Sequence, residues 1–196
     1  AAANAQIVQK ILEGMNTLPL TPSQATALLC GLITKTHSFQ NINTTPQALI
    51  LASELINQGA ERELIIQNLY KTKPLNRLRL FGRLLEKTEY DNEKKIVWMK
   101  ASSADFAETA STAQELTYIL EEINDFFPMV QLVFIFWTDE NNNVWVLGQS
   151  EHPKIMHKMN LEFGGALKNN RWLAKTSFVE INQAKKTINN LLISLL

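Results

Sequence analysis

Two glycines and two cations lie close together near the end of the sequence. Gly164 and Gly165 are followed by Lys168 and Arg171. A glycine-rich turn lets backbone amides approach an oxyanion without side chains in the way, and both cations bind phosphate through charge and hydrogen bonds. The pattern predicts either a phosphate-binding loop or an exposed turn that carries two solvated cations. Both interpretations stay open at the level of sequence.

Other residues that could do chemistry form weaker patterns. His152 and His157 are five positions apart, so they do not share the i, i+4 helix face that brings two metal ligands together. Trp137 and Trp145 could stack on nucleobases, but they flank a predicted hairpin and are expected to be packing residues. The single cysteine, Cys30, excludes an internal disulfide. No Ser-His-Asp arrangement or P-loop is recognisable.

The charge is balanced overall but not along the chain. The 196 residues include 19 Lys and Arg and 19 Asp and Glu, which argues against a chain that binds polyanions or anionic membranes over its whole surface. Residues 151–196 carry seven basic and three acidic side chains, a net charge of +4 that indicates either an anionic ligand there or, as is more common, a solvated surface. No stretch has the length and hydropathy of a membrane span and no signal peptide is recognisable, so a cytoplasmic location is expected.

The N-terminal half has the periodicity of helices. Residues Thr21 to Gln24 form a capping box with a proline at the first helical position, and Thr45 and Pro46 repeat this start signal. Helices are therefore predicted over about 4–15, 22–33, 46–58, 62–70 and 74–88.

The pattern changes near residue 91, where a second region begins. Strands are predicted over 95–100, 129–138, 144–148 and 172–181, and helices over 112–124, over 153–163 and at the C terminus. The fold class is α/β, with a helical part over 1–73, a connecting helix over 74–90 and a small α/β domain over 91–196. The apolar residues 191–196 need a surface to cover them, and a homodimer formed through 189–196 is one option.

Part of the helical half resembles a known motif. Residues 31–39 read Gly-Leu-Ile-Thr-Lys-Thr-His-Ser-Phe, which is similar to the Gly-Ile-x-x-Asp-Thr-Gly-x-Phe signature of the DHH-family phosphoesterases. The segments 43–46, 55–60 and 69–74 follow in the order typical of the bacterial oligoribonuclease and pAp-phosphatase branch, which is similar to RecJ-type nucleases. Residues 3–8 resemble the helix start that follows the Asp-His-His motif of that family.

This resemblance implies a fold and a site. The family has two α/β domains around a cleft, with manganese held by aspartates and histidines of the first domain. An arginine and a Gly-Gly-Gly-His loop of the second domain grip the substrate phosphate. Residues 1–73 would be the C-terminal helical part of a DHH domain, and residues 91–196 would be the DHH-associated domain with a mixed sheet. Two clustered metal ions would activate water and stabilise the leaving oxygen.

Four features depart from the family pattern. The sequence begins downstream of the Asp-His-His motif. Lys35 stands at the metal-binding aspartate, and its ammonium has no lone pair to donate and repels a divalent cation; His37, close by, replaces the glycine of the same motif. Gln149, before Ser150, corresponds to the phosphate-gripping arginine. Lys168 stands where the loop has its histidine.

The sequence therefore predicts a non-catalytic relative that needs no cofactor, although the family would use manganese. Its ligand would be a nucleotide or a single-stranded nucleic acid. A missing N-terminal DHH segment would be a second partner, and Lys35 would pair with acidic residues of that segment. The other option is that Lys35 is simply solvated. The alternative is that the chain belongs to a longer, active manganese-dependent phosphodiesterase acting on short oligonucleotides or pAp, which tolerates lysine at 35 and 168. The candidate substrate-binding residues are Gly164, Gly165, Lys168, Arg171 and Gln149.

Overall fold

A computed structural model describes residues 4–15, 19–40, 44–71, 73–127 and 129–194. The chain divides into two compact units, residues 1–73 and 74–196. Each unit buries its own apolar side chains: one core lies in the first unit and two lie in the second. No helix in the described ranges is long and apolar enough to cross a membrane.

The first unit is a set of helices. Thr21 accepts a hydrogen bond from the backbone N–H of Gln24, whose side chain returns to the Thr21 backbone, so the predicted capping box is present. Thr45 caps a later helix in the same way, through the N–H of Ala48. Leu29, Leu32, Leu51, Leu55 and Ile65 fill the core between the helices. The helices are α1 (Asn4–Gly14), α2 (Pro22–Lys35), α3 (Pro46–Asn57) and α4 (Arg62–Tyr70).

The second unit is built on a mixed sheet. Its helices are α5 (Leu75–Glu86), α6 (Ser103–Thr109), α7 (Glu115–Phe126), α8 (Pro153–Phe163) and α9 (Ile181–Ile193). Its strands are β1 (Glu89–Asp91), β2 (Ile96–Ala101), β3 (Leu132–Thr138), β4 (Val144–Ser150), β5 (Ala166–Lys168) and β6 (Arg171–Lys175). The strand order is β1-β2-β3-β4-β6-β5, and β2 and β3 run parallel while the other neighbours are antiparallel. The predicted α/β class with a mixed sheet is confirmed.

Helices cover both faces of this sheet. Leu84 of α5 and Ile119 of α7 pack on one face with Ile135 of β3. Met156 of α8 and Ile188 of α9 join the other core, which includes Phe134, Phe136 and Trp172. Strand β3 has helices on both sides, which explains why its sequence is continuously apolar rather than alternating.

The strand predicted over 172–181 is wrong in its second half. Strand β6 ends at Lys175, which pairs with Trp145, and the Thr176 N–H donates to the carbonyl of Val144, the first residue of β4. Among the described residues no partner strand continues beyond this point, so the chain leaves the sheet and forms α9 from Ile181. The strand predicted from residue 129 starts at Leu132, and the helix predicted over 74–88 ends at Glu86.

Three short elements were missed by the sequence prediction. Strands β1 and β5 have three residues each, too few for a periodic signal. Helix α6 has seven residues, but its start carries a capping box between Ser102 and Asp105 that the sequence does show.

Candidate functional site

The strand register brings three predicted residues into one row. Gln149 of β4 pairs with Arg171 of β6, and Arg171 pairs with Lys168 of β5. Directly opposed residues of antiparallel strands point to the same face of a sheet. The three polar side chains therefore lie side by side, although Gln149 is far from the other two in the sequence.

Arg171 is held in a defined orientation. Its Nε donates to Oε1 of Gln149 at 3.0 Å, and one terminal nitrogen donates to Oε1 of Glu121 on α7 at 2.8 Å. Because the oxygen of Gln149 accepts from Arg171 and its amide nitrogen has no hydrogen bond to the described residues, that nitrogen can donate to a ligand. Lys168 is exposed and has no ion pair within the described residues. The sequence prediction missed Glu121, since nothing in the sequence links residues 50 positions apart.

The backbone conformation and packing at Gly164 and Gly165 explain why both positions are glycine, without any role in ligand binding. Gly165 has φ +110°, and a Cβ there would lie 2.4 Å from the carbonyl oxygen of Leu173 and 2.8 Å from the Cβ of Ala174. Gly164 has φ +68°, and its carbonyl accepts from the indole N–H of Trp172 at 2.7 Å. The pair closes the turn from α8 into β5 and thereby places Lys168 in the polar row.

Lys35 lies at the exposed end of α2, in the first unit. The turn that follows contains His37, Ser38 and Phe39, whose φ values are +47°, +57° and +66°. The buried Thr36 hydroxyl donates to the carbonyl of Leu32 at 2.7 Å and accepts from the Phe39 N–H at 3.1 Å. His37 thus keeps the left-handed backbone expected where the motif has glycine, while position 35 presents a cation.

The described residues do not fit a manganese site. They contain no group of three or more His, Cys, Asp or Glu side chains that could hold a metal ion. Lys35, which the DHH resemblance aligns with a metal-binding aspartate, is a cation and cannot donate a lone pair to a metal ion. His152 stands at the N-cap position of α8 without a capping side-chain hydrogen bond, and His157 lies within the helix; neither belongs to such a group among the described residues.

A cleft of about 640 Å³ lies at the other end of the sheet from the polar row. It is lined by residues of α6, of the segment before α7 and of the β3–β4 hairpin, including Trp137 and Asp139. Trp137 stacks on Trp145 with ring centroids 6.1 Å apart, so the predicted packing role is confirmed. Hydrogen bonds from Asn143 and Trp145 lower the pKa of Asp139 to about 2. The sequence analysis did not find this cleft.

Part of the chain is similar in sequence to a known protein. No family model matches the chain. Over 84 residues the chain is 33% identical to the bifunctional oligoribonuclease and PAP phosphatase NrnA of Thermus thermophilus. The matched segment is 43% of this chain and 25% of the Thermus protein.

Comparison with solved structures supports the fold. An exopolyphosphatase-related protein of Bacteroides fragilis superimposes with a TM-score of 0.79 over 99% of this chain, at 16% sequence identity. The chain covers 57% of that protein, so it spans little more than half of the Bacteroides protein and less of the Thermus protein. The motif around Lys35 and the matched segment are therefore similar in sequence to DHH-family phosphoesterases, and the fold is shared with the Bacteroides protein.

Proposed function

We propose that this chain binds nucleotides or short single-stranded nucleic acids through the row Gln149, Arg171 and Lys168, and that it does not hydrolyse them. The observation that carries the proposal is the strand register that gathers these three side chains on one face. The sequence relative is named as an oligoribonuclease and PAP phosphatase, which supports a phosphorylated nucleotide as the ligand class.

The row offers complementary contacts to one phosphate. Lys168 supplies a point charge, and the planar guanidinium of Arg171 supplies paired N–H donors. Gln149 holds the guanidinium through its oxygen and adds its own amide N–H groups. The partly exposed ion pair of Arg171 with Glu121 contributes about 0–1 kcal/mol, so a phosphate can displace the carboxylate at small cost.

The absence of hydrolysis follows from the residues at the motif. Hydrolysis by a two-metal site needs clustered anions that hold the ions and activate water. Lys35 stands at such a position as a cation, and the described residues offer no metal-binding cluster. The alternative, an active manganese-dependent phosphodiesterase of which this chain is a part, requires the lysines at 35 and 168 to be tolerated.

One titration tests both parts of the proposal. Fluorescence anisotropy would measure the binding of labelled pAp and of a 5′-phosphorylated dinucleotide, and chromatography of the same mixtures with manganese would detect products. We expect K168Q/R171Q to weaken binding at least 10-fold, while K186Q on the exposed face of α9 leaves it unchanged. Equal affinities of K168Q/R171Q and wild type would refute the binding site, and sustained manganese-dependent product formation would refute the absence of hydrolysis.

We also propose that the exposed apolar face of α1 packs against a DHH segment preceding it in a longer polypeptide. Ile7, Ile11 and Met15 are 51%, 55% and 65% exposed, while Ala5 and Gln9 are buried. In the 196-residue chain, I7K/I11K should change the free energy of unfolding by less than about 0.5 kcal/mol. In the longest natural polypeptide that contains the chain, the same variant should be markedly less stable than wild type. Equal effects in both would contradict this packing.

A further inference from the structure

A groove of about 450 Å³ lies between α8 and the edge of the sheet at β5. It is separate from the polar row, because Leu167 and Asn169 border it whereas Lys168 between them points to the opposite face of β5. The α8 side chains that line it include Lys154, His157, Lys158 and Leu161.

The lining of this groove is cationic without any carboxylate. Four other clefts include acidic side chains in their walls, among them Asp139, Glu61, Glu54 and Glu162. Lys154 and Lys158 form no ion pair with the described part of the chain. In the same unit, by contrast, six other cations are neutralised by carboxylates: Arg83, Lys87, Lys94, Lys100, Arg171 and Lys185. The positive charge of the groove is therefore available to an external anion.

The arrangement suits a chain of nucleotides rather than a single phosphate. Lys154 and Lys158 are four residues apart on the same face of α8, about 6 Å along its axis, so two successive phosphates can each meet a cation. His157 between them offers a ring on which a base can stack. Leu161 is 68% exposed and adds an apolar surface beside Leu167.

We propose that this groove binds the continuing backbone of a short single-stranded oligonucleotide whose first phosphate lies at the row Gln149, Arg171 and Lys168. This inference rests on the proposed function. Strand β5 is the last strand of the sheet, so no further strand covers its outer edge within the described chain. A single strand can pass over this edge from Lys168 on one face to Lys154 and Lys158 on the other.

Binding as a function of ligand length tests the groove. The affinities of 5′-phosphorylated oligoadenylates of one, two, three and five nucleotides would be measured for wild type and for K154Q/K158Q at several salt concentrations. We expect the wild-type affinity to rise about 10-fold from one nucleotide to three. In K154Q/K158Q this gain is lost while mononucleotide binding is unchanged, and the slope of log affinity against log salt for the longer ligands falls by about 0.7 per lost phosphate contact.

A matched variant controls for overall charge. R79Q/K186Q also removes two positive charges from exposed positions of the second unit and should keep the length dependence. If both double variants lose affinity equally, the loss reflects overall charge and the groove hypothesis is refuted. A wild type that binds one nucleotide as tightly as five contradicts the groove but not the proposed function, and a wild type that binds none contradicts both. Competition by oligoglutamate as strong as by an oligoadenylate of equal charge would overturn the assignment to nucleic acid.

Discussion

Backbone conformation at single residues decides how the site is shaped. Gly165 adopts φ +110° next to the backbone of β6, a position that no other residue can fill without moving Leu173 or Ala174. His37, Ser38 and Phe39 adopt left-handed conformations without being glycine, which costs about 1–2 kcal/mol for each residue. The hydroxyl of Ser38 donates to the Tyr70 hydroxyl at 2.8 Å and helps to hold that turn.

Replacing Gly165 by alanine tests the steric argument. G165A should lower the free energy of unfolding by about 2–4 kcal/mol, because the added Cβ meets backbone atoms and the φ value is strained for alanine. G82A is the control: a Cβ at Gly82 in α5 meets nothing within 4 Å, so this change should stabilise the protein by about 0.5–1 kcal/mol. Urea denaturation of both variants gives the comparison, and similar shifts for the two would contradict it.

Between elements, a buried carboxylate ties α6 to the end of α5. Asp105 is 1% exposed and accepts hydrogen bonds from Lys87 Nζ at 2.7 Å and from the Ser102 hydroxyl at 2.7 Å. Burial alone would raise the pKa of Asp105, but the bonds from Lys87 and Ser102 outweigh it and lower the pKa from 3.8 to about 2. The ionised form is therefore favoured by folding.

The pH dependence of stability follows from this shift. Because the pKa of Asp105 is lower in the folded state, its contribution is fully present above pH 3.8 and is lost as the pH falls towards 2. The shift corresponds to about 2 kcal/mol. D105N should therefore be destabilised by about that amount at pH 7, and the difference from wild type should shrink below pH 4. Chemical denaturation at pH 7, 4 and 2.5 checks this, with E140Q on the exposed hairpin as control; a difference that is constant with pH would disprove it.

Helix α9 offers a test that separates packing from dimerisation. Leu192 is fully buried in the core of its own unit, whereas Ile193 is 57% exposed. L192A should cost about 2–4 kcal/mol of stability and I193A less than 1 kcal/mol. Sedimentation of I193A checks the homodimer, which stays a prediction: concentration-dependent dissociation of a wild-type dimer by I193A would show that the exposed side of α9 pairs with a second copy.

The sequence predicts the features that depend on neighbouring residues, such as helix starts, but not those that depend on distant strands. Caps at Thr21 and Thr45 and the proline at 153 mark helix starts, and those helices begin where predicted. The end of β6 depends on where β4 begins, which is a long-range property that the mostly apolar segment 178–181 does not reveal. The polar row depends on register in the same way, so Gln149 was proposed only through the family resemblance and Glu121 was not found.

At the scale of the whole molecule, the chain consists of two compact units that carry different parts of one family pattern. The first unit holds the altered motif around Lys35, and the second unit holds the polar row and the cationic groove. The fold is shared with the Bacteroides protein over nearly the whole chain, while Lys35 stands where the DHH resemblance places a metal-binding aspartate. The proposed binding without hydrolysis rests on this combination of a shared scaffold and a changed residue.

Manganese uptake measures this claim most directly. Isothermal titration with manganese of the longest natural polypeptide that contains this chain should give only dilution heats, because the resemblance places a lysine where the metal needs a carboxylate and the described residues supply no other cluster. The same titration in the presence of pAp should also give only dilution heats, which would exclude a manganese site that pAp helps to form. Saturable binding of manganese at one or two ions per chain, abolished by a change at Lys35, would contradict the account.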